Sequence, residues 1–148
     1  MKIGDAGIAL IKEFEGFKKA PYLCSAGVPT IGYGSTMYAD GKKVKMSDVS
    51  ISEAVALELF HTTLHKYEQT VGKAIVIPLT QNQFDACVSL CYNIGQGNFA
   101  SSTLVKEINK GEPKEKTSEQ FLRWNKAMGT VSAGLSRRRK AEQKLYLS

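Results

Sequence analysis

Glu15-Gly-Phe-Lys-Lys-Ala-Pro-Tyr-Leu-Cys24-Ser-Ala-Gly-Val-Pro-Thr30 is the stretch on which the fold turns, and Ile31-Gly-Tyr-Gly-Ser-Thr36 continues it. Upstream, Ile3, Ala6, Leu10, Ile11 and Phe14, followed by Phe17, keep to helical spacing, which predicts one apolar helix face over residues 3–15. Asp5 suits the positive end of that helix. Gly16 is a stop just past Glu15, and Pro21 forbids continuation. Glu15 is therefore expected on the last turn, at the rim of the apolar face, beside the negative end of the dipole. Downstream, Tyr22 to Met46 reads as extended. Val28-Pro-Thr-Ile-Gly-Tyr-Gly alternates, and Asp40-Gly41 marks a turn between Thr36-Met-Tyr and Lys43-Val-Lys-Met. A small antiparallel sheet is expected here, the only β-rich part of the chain. Gly32 and Gly34 would let a backbone or a ligand approach it closely.

From Ser50 onward the pattern is helical. Ser50-Ile-Ser-Glu53 reads as a capping box, followed by Ala56, Leu59, Phe60, Thr63 and Tyr67 on one face to about Thr70. Thr80-Gln-Asn-Gln83 is a second capping box. It opens the most apolar stripe, Phe84, Cys87, Val88, Cys91 and Ile94, expected to be a central buried helix that stops in the Gly-rich run Asn93 to Asn98. Ser101 or Ser102 caps a short helix closed by Gly111-Glu-Pro113. Thr117-Ser-Glu-Gln120 opens another with Phe121 and Trp124. After a loop at Gly129–Gly134, Leu135 to Leu147 makes a basic final helix.

At 148 residues the chain is expected to be a single domain, 1–148. Its formal charge of +6 points to an acidic partner: nucleic acid, an anionic membrane surface or an acidic wall polymer. Three cysteines, an odd number, argue against a disulfide framework, and Cys87 and Cys91 read as small buried hydrophobes. His61 and His65 stand four apart on a helix without a plausible third ligand, so no metal site and no cofactor are expected. Near the N-terminus the longest uncharged run is Ala6 to Ile11, shorter than a signal peptide's apolar core, and nothing approaches a membrane span. Synthesis in a cytoplasm is the expectation.

A carboxyl group at a helix end against an apolar wall is the usual arrangement for a general acid, because burial disfavours its ionised form. Glycoside hydrolysis needs such an acid to protonate the leaving oxygen, and a second group to aim a water or steady the transition state. A Cys and a Thr across a turn could fill the second role. Spacing alone leaves Glu13 nearly as good an acid as Glu15.

The pattern Glu-x8-(Asp or Cys)-x5-Thr, followed by Thr-Ile-Gly-Tyr-Gly, resembles the phage endolysins of the T4-lysozyme-like muramidase family, glycoside hydrolase family 24. Here it falls on Glu15, Cys24 and Thr30. Pro78-Leu-Thr-Gln-Asn-Gln-Phe-Asp-Ala, Tyr92-Asn-Ile-Gly-Gln-Gly-Asn-Phe-Ala-Ser-Ser-Thr-Leu and Ala133-Gly-Leu-Ser-Arg-Arg-Arg-Lys-Ala-Glu extend the resemblance over nearly the whole chain. It implies an α+β, mainly α, lysozyme fold: a small antiparallel β-lobe (about 16–50), a larger helical lobe (about 71–148 plus the N-terminal helix) and a cleft between them. It also implies an endolysin, expected to be a monomer, acting on the β-1,4 bond between N-acetylmuramic acid and N-acetylglucosamine of peptidoglycan glycan strands, with inversion. Glu15 would be the general acid, Cys24 would support the attacking water and Thr30 would help to place it. Tyr92, Asn93 and Gln96 lie where the family's helical lobe faces the glycan, although Tyr92 reads equally as core and Asn93 as a helix cap. Synthesis in the host cytoplasm, action in the periplasm and release through a holin-type membrane lesion would follow.

Two departures stand out. Cys24 occupies the position where many members carry Asp, and a thiol is mostly neutral at pH 7 where Asp would be charged. Ser35 occupies the place of a frequent His, which is expected to bear on the hairpin more than on the chemistry. Trp124 with Phe121 reads as core more readily than as a sugar platform. In the run Arg137-Arg-Arg-Lys140, one arginine is a candidate partner for Glu15. The run as a whole, Arg137, Arg138, Arg139 and Lys140, could touch an anionic membrane, although about half of it is expected to be plain solvated helix face. Two other functions compete: a lytic transglycosylase on the same bond, and a basic membrane-disrupting or nucleic-acid-binding module. No nucleic-acid motif supports the last of these.

Overall fold

The computed structural model describes residues 1–24 and 26–148. Among the described residues, seven α-helices and four short strands follow in the order α1 (Asp5–Glu15), β1 (Lys18–Leu23), β2 (Pro29–Gly32), α2 (Glu53–Ala74), α3 (Gln81–Ile94), α4 (Gln96–Ala100), α5 (Thr103–Asn109), α6 (Lys114–Ser118), β3 (Lys126–Ala127), β4 (Thr130–Val131) and α7 (Ala133–Leu147). A 3-10 turn, Glu119–Arg123, lies between α6 and β3. The chain divides into two compact units, Lys12–Lys66 and Met1–Ile11 with Tyr67–Ser148.

In the 12–66 unit, β1 and β2 form an antiparallel pair, and Ile31, Val44 and Leu59 make a core with Tyr38 and Ile51 packed against it. The Asp40-Gly41 turn forms, with Tyr38 N–H donating to the Lys42 carbonyl (2.9 Å). Its arms, however, are joined among the described residues by an isolated bridge, Met37 to Lys43, with the Val44 amide on the Thr36 carbonyl (2.9 Å), instead of by paired strands. The expected cap of α2 also moves: Ser52, not Ser50, accepts the Val55 amide at 3.2 Å. Glu53, expected at the fourth position of a capping box, is instead the first helical residue and takes the Tyr33 hydroxyl at 2.9 Å.

In the other unit α3 is the central element. Phe84 through Tyr92 are all buried, and its main helix partner is α7. Thr80 and Gln83 make the capping box at its start. Asp85, one residue inside the apolar stripe, is 1 % exposed and reaches the first amides of α1, accepting from Gly4 (2.9 Å) and Gly7 (3.2 Å). A carboxylate at a helix N-terminus satisfies amides that have no partner within the helix. Gly7 is needed for that approach, because a Cβ there would come within 2.8 Å of the Asp85 Cβ.

Three expectations in this unit are corrected. The Gly-rich stop after Ile94 is a single residue, Gly95, after which α4 begins at once. Thr117 does not open a helix: α6 starts at Lys114 behind Pro113, and Thr117 is buried with its hydroxyl 3.0 Å from that of Tyr146. The Gly129–Gly134 loop is in part a hairpin, β3 against β4, and so the β-structure is not confined to the early chain. Its turn holds Met128 (φ 52°) and Gly129 (φ 80°), both left-handed. That is the backbone of a tight hairpin turn whose usual sequence signs are Asn, Asp or Gly, and Met128 hides it from a composition-based reading.

Candidate active site

Glu15 is the last residue of α1, and Gly16 turns the chain there with φ 68° while its amide still bonds to the Lys12 carbonyl (2.9 Å). Glu15 is half-buried and Glu13 exposed. The chain runs directly into β1. Lys18 pairs with Gly32 and Tyr22 with Thr30, so four residues of β1 run against two of β2. This bulge contains Pro21, which has no amide to give a ladder and is accommodated there.

Cys24 stands where β1 ends. Its amide bonds to the Val28 carbonyl (3.1 Å) and its carbonyl accepts from Gly27 (2.8 Å), whose φ of 75° closes the turn. The turn folds back so that Thr30, 2 % exposed, reaches the Cys24 side chain. Burial acts to raise the Cys24 thiol. Hydrogen bonds to the sulfur from the backbone of Val28 and Ala26, from the Thr30 side chain and from its own backbone outweigh it, and the thiol lies below its ordinary value. The Thr30 hydroxyl also donates to the Val28 carbonyl at 2.8 Å. A hydroxyl has a single hydrogen. With Cys24 protonated, that hydrogen goes to Val28; with Cys24 ionised, a rotation of the hydroxyl turns it to the sulfur.

Tyr22 was not singled out by sequence. Burial raises its phenol, and the charges of Glu15 and then Cys24 raise it further, so both groups lie within electrostatic reach of it. The period-two alternation of β1 was the available signal, but Pro21 obscures it. Behind the hairpin, the Tyr33 ring packs on Phe17 (5.7 Å between centroids) and Phe60 (5.5 Å), with the Lys12 ammonium 5.3 Å from its centre. A Cβ on Gly32 would stand 3.1 Å from that of Ala56, so strand and helix meet closely there. Ser35, at the variable His position, is buried. It exchanges both backbone hydrogen bonds with Ile31 at 2.9 Å, and its hydroxyl lies 3.5 Å from that of Thr63.

Glu15, Cys24 and Thr30 thus all belong to the 12–66 unit, whereas Tyr92, Asn93 and Gln96 belong to the other. Tyr92 is 9 % exposed, with its ring 5.0 Å from that of Tyr67. Asn93 is exposed in the last turn of α3, and Gln96 is exposed on α4 with its amide donating to the Thr70 hydroxyl at 2.6 Å. Trp124 is half-buried and, with Thr103, Leu104, Gln120 and Arg123, lines a cavity of about 350 Å³. Among the described residues no group of three or more His, Cys, Asp or Glu is placed to hold a metal ion, and no helix is long and apolar enough to cross a membrane.

The reading of Arg137–Lys140 as a basic surface is corrected for Arg138 and Arg139. Arg138 and Arg139 are 3 % and 0 % exposed and converge on the buried Glu142, which also accepts the Ser89 hydroxyl. Two guanidinium groups enclosed with a carboxylate cannot offer charge to a membrane, and of the four only Arg137 and Lys140 are exposed.

Residues 12–142 match the phage lysozyme family. The endolysin of Salmonella phage P22 is 37% identical over 148 residues, an alignment that takes in 100% of this chain and 99% of that protein. The endolysin of Bacillus phage B103 is 40% identical over 149 residues. It is aligned with 100% of this chain, which spans 55%, about half, of that relative's length. Among solved structures, the endolysin from Escherichia coli O157:H7 phage FAHEc1 has a TM-score of 0.90 at 40% identity, over 100% of this chain and 94% of that one. The mainly helical fold with its small antiparallel strand lobe is the fold of these proteins, and the chain belongs to the phage lysozyme family of muramidase-type glycoside hydrolases.

Proposed function

We propose that this protein is an endolysin that hydrolyses the β-1,4 bond between N-acetylmuramic acid and N-acetylglucosamine in bacterial peptidoglycan. Glu15 gives its proton to the leaving glycosidic oxygen. Cys24, as thiolate, takes a proton from a water that Thr30 helps to hold, and the water oxygen attacks the anomeric carbon from the opposite face, with inversion. One observation carries this assignment: the turn Cys24–Gly27 folds Thr30 back to the thiol, and the thiol is pulled below its ordinary value by the hydrogen bonds made there. A lowered thiol supplies at neutral pH some of the negative charge that the family's Asp would carry.

The protein is made in the host cytoplasm and reaches the periplasmic wall at the end of phage growth, through a lesion made by another protein. Its glycan contacts include Asn93 and Gln96, the two exposed residues of the helical candidates. The test is product analysis on purified peptidoglycan, with wild type and Glu15→Gln side by side. Wild type yields reducing muramic ends and Glu15→Gln yields almost none while remaining folded. Anhydro-muramic ends would replace hydrolysis by transglycosylation, and an active Glu15→Gln would remove Glu15 from the role of acid.

A further inference from the structure

We propose that Tyr22 is a positioning residue of this site, its phenolic oxygen fixing the water that Cys24 and Thr30 aim. The proposal rests on the roles given above to Cys24 and Thr30. Its first support is register. Tyr22 is the direct ladder partner of Thr30, and directly opposed residues of an antiparallel pair project to the same face with their Cβ atoms about 5 Å apart. Its second support is alternation. Cys24 lies two residues beyond Tyr22, and the residue between them, Leu23, is 58 % exposed while its two neighbours are partly buried. Tyr22, Cys24 and Thr30 therefore share one face at the closed end of the hairpin. The bulge adds two residues to β1, an even number, and so leaves that alternation in place.

Two titratable groups act electrostatically on the phenol: Glu15, from the end of α1, and Cys24, from the end of its own strand. Because burial and both of these groups raise it above the ordinary phenol value, the phenol is protonated at neutral pH. A water on this face can give one hydrogen to the Cys24 sulfur and the other to the Tyr22 oxygen, which leaves a lone pair of its own oxygen directed away from both. That is the arrangement that an in-line attack needs, and it also steadies the thiolate.

Tyr22→Phe keeps the ring and removes only the oxygen. On soluble peptidoglycan fragments, kcat is expected to fall roughly tenfold or more with KM nearly unchanged. In the absence of substrate, the pH at which Cys24 is half-reactive toward iodoacetamide moves upward. A purely structural Tyr22 would lower the melting temperature and leave that titration in place; an unmoved titration, or an unchanged kcat, overturns the proposal. The thiol titration involves no substrate. A wrong catalytic assignment, seen as an active Glu15→Gln, is therefore told apart from a wrong proposal, seen as an unmoved thiol. Should Tyr22→Phe not fold, the carbon-13 signal of the Tyr22 ring in wild type serves instead. It must follow the ionisation of Cys24, and a signal without that inflection rejects the idea.

Discussion

Arg139 Nε and Glu142 Oε1 stand 2.7 Å apart one turn into the body of α7, with neither side chain reaching solvent. Arg138 adds a second guanidinium, whose Nη2 donates to the Ser89 carbonyl at 3.1 Å and so ties α7 to α3. Removing one member of such a group leaves buried charge uncompensated, which typically costs about 3–5 kcal/mol. Glu142→Ala should lose about that much in urea unfolding and should expose the protein to aggregation. A loss below about 1 kcal/mol would mean that the arginines find water or another partner.

The three thiols should differ sharply toward an alkylating agent at neutral pH. Burial pushes Cys91 up to about 12 and Cys87 higher still, whereas the hydrogen bonds around Cys24 bring it below the ordinary thiol value. The thiolate is the reactive form, so Cys24 should be modified first and faster than an unstructured cysteine peptide, with the other two untouched until the fold opens. Peptide mapping after timed iodoacetamide treatment reads this directly. Equal labelling of Cys24 and Cys91 in the folded protein would contradict it.

Replacing Cys24 by Asp installs the other residue that the resembled pattern admits and moves the group's ionisation down by several pH units. The group must be ionised to accept a proton, so the acid limb of the pH–rate profile should shift downward in Cys24→Asp, toward the carboxylate range near about 4. Cys24→Ala should lose most of its activity at every pH. Superimposable profiles for wild type and Cys24→Asp would remove the thiol from the rate law.

Met128 sits in the left-handed region at 99 % exposure, where its side chain packs on nothing that repays the strain. Asn and Gly tolerate that backbone better, by on the order of 1 kcal/mol. Met128→Asn should raise the urea midpoint without a change in slope. An unchanged or lowered midpoint would show that the methionine has a packing or binding role.

Asp85→Ala should unfasten the start of α1, since both the Gly4 and Gly7 amides and the Gln81 side chain bond to that carboxylate. A loss of about 2–3 kcal/mol is expected, more than for a solvent-exposed cap, because the amides left behind are partly buried. Hydrogen exchange should quicken at residues 4–8 before any other helix is affected.

How much of this could be read from the chain depended on whether local spacing or distant pairing decided the outcome. The end of α1 at Glu15 was legible, since an apolar period, a Gly and a Pro all stop at the same point. So was α3, where a capping box and an apolar stripe coincide. The Ser50 cap was misread because two serines compete two residues apart, and only the place where the helix packs selects Ser52. Arg138 and Arg139 looked like solvated charge because the residues that bury them, Ser89 and Glu142, belong partly to another helix. Asp85 was missed for the same reason: the α1 amides that it caps lie more than seventy residues away. At the site, spacing admitted Glu13 and Glu15 alike. Tyr22 stayed hidden behind a proline that breaks the strand pattern but not the strand's facing.

The sixteen residues from Glu15 to Thr30 hold the acid, the thiol and the hydroxyl without a break. Their mutual spacing is set by one helix stop, one bulge and one turn, all local. An insertion downstream of Ser35 would therefore lengthen the chain without changing the spacing of Glu15, Cys24 and Thr30.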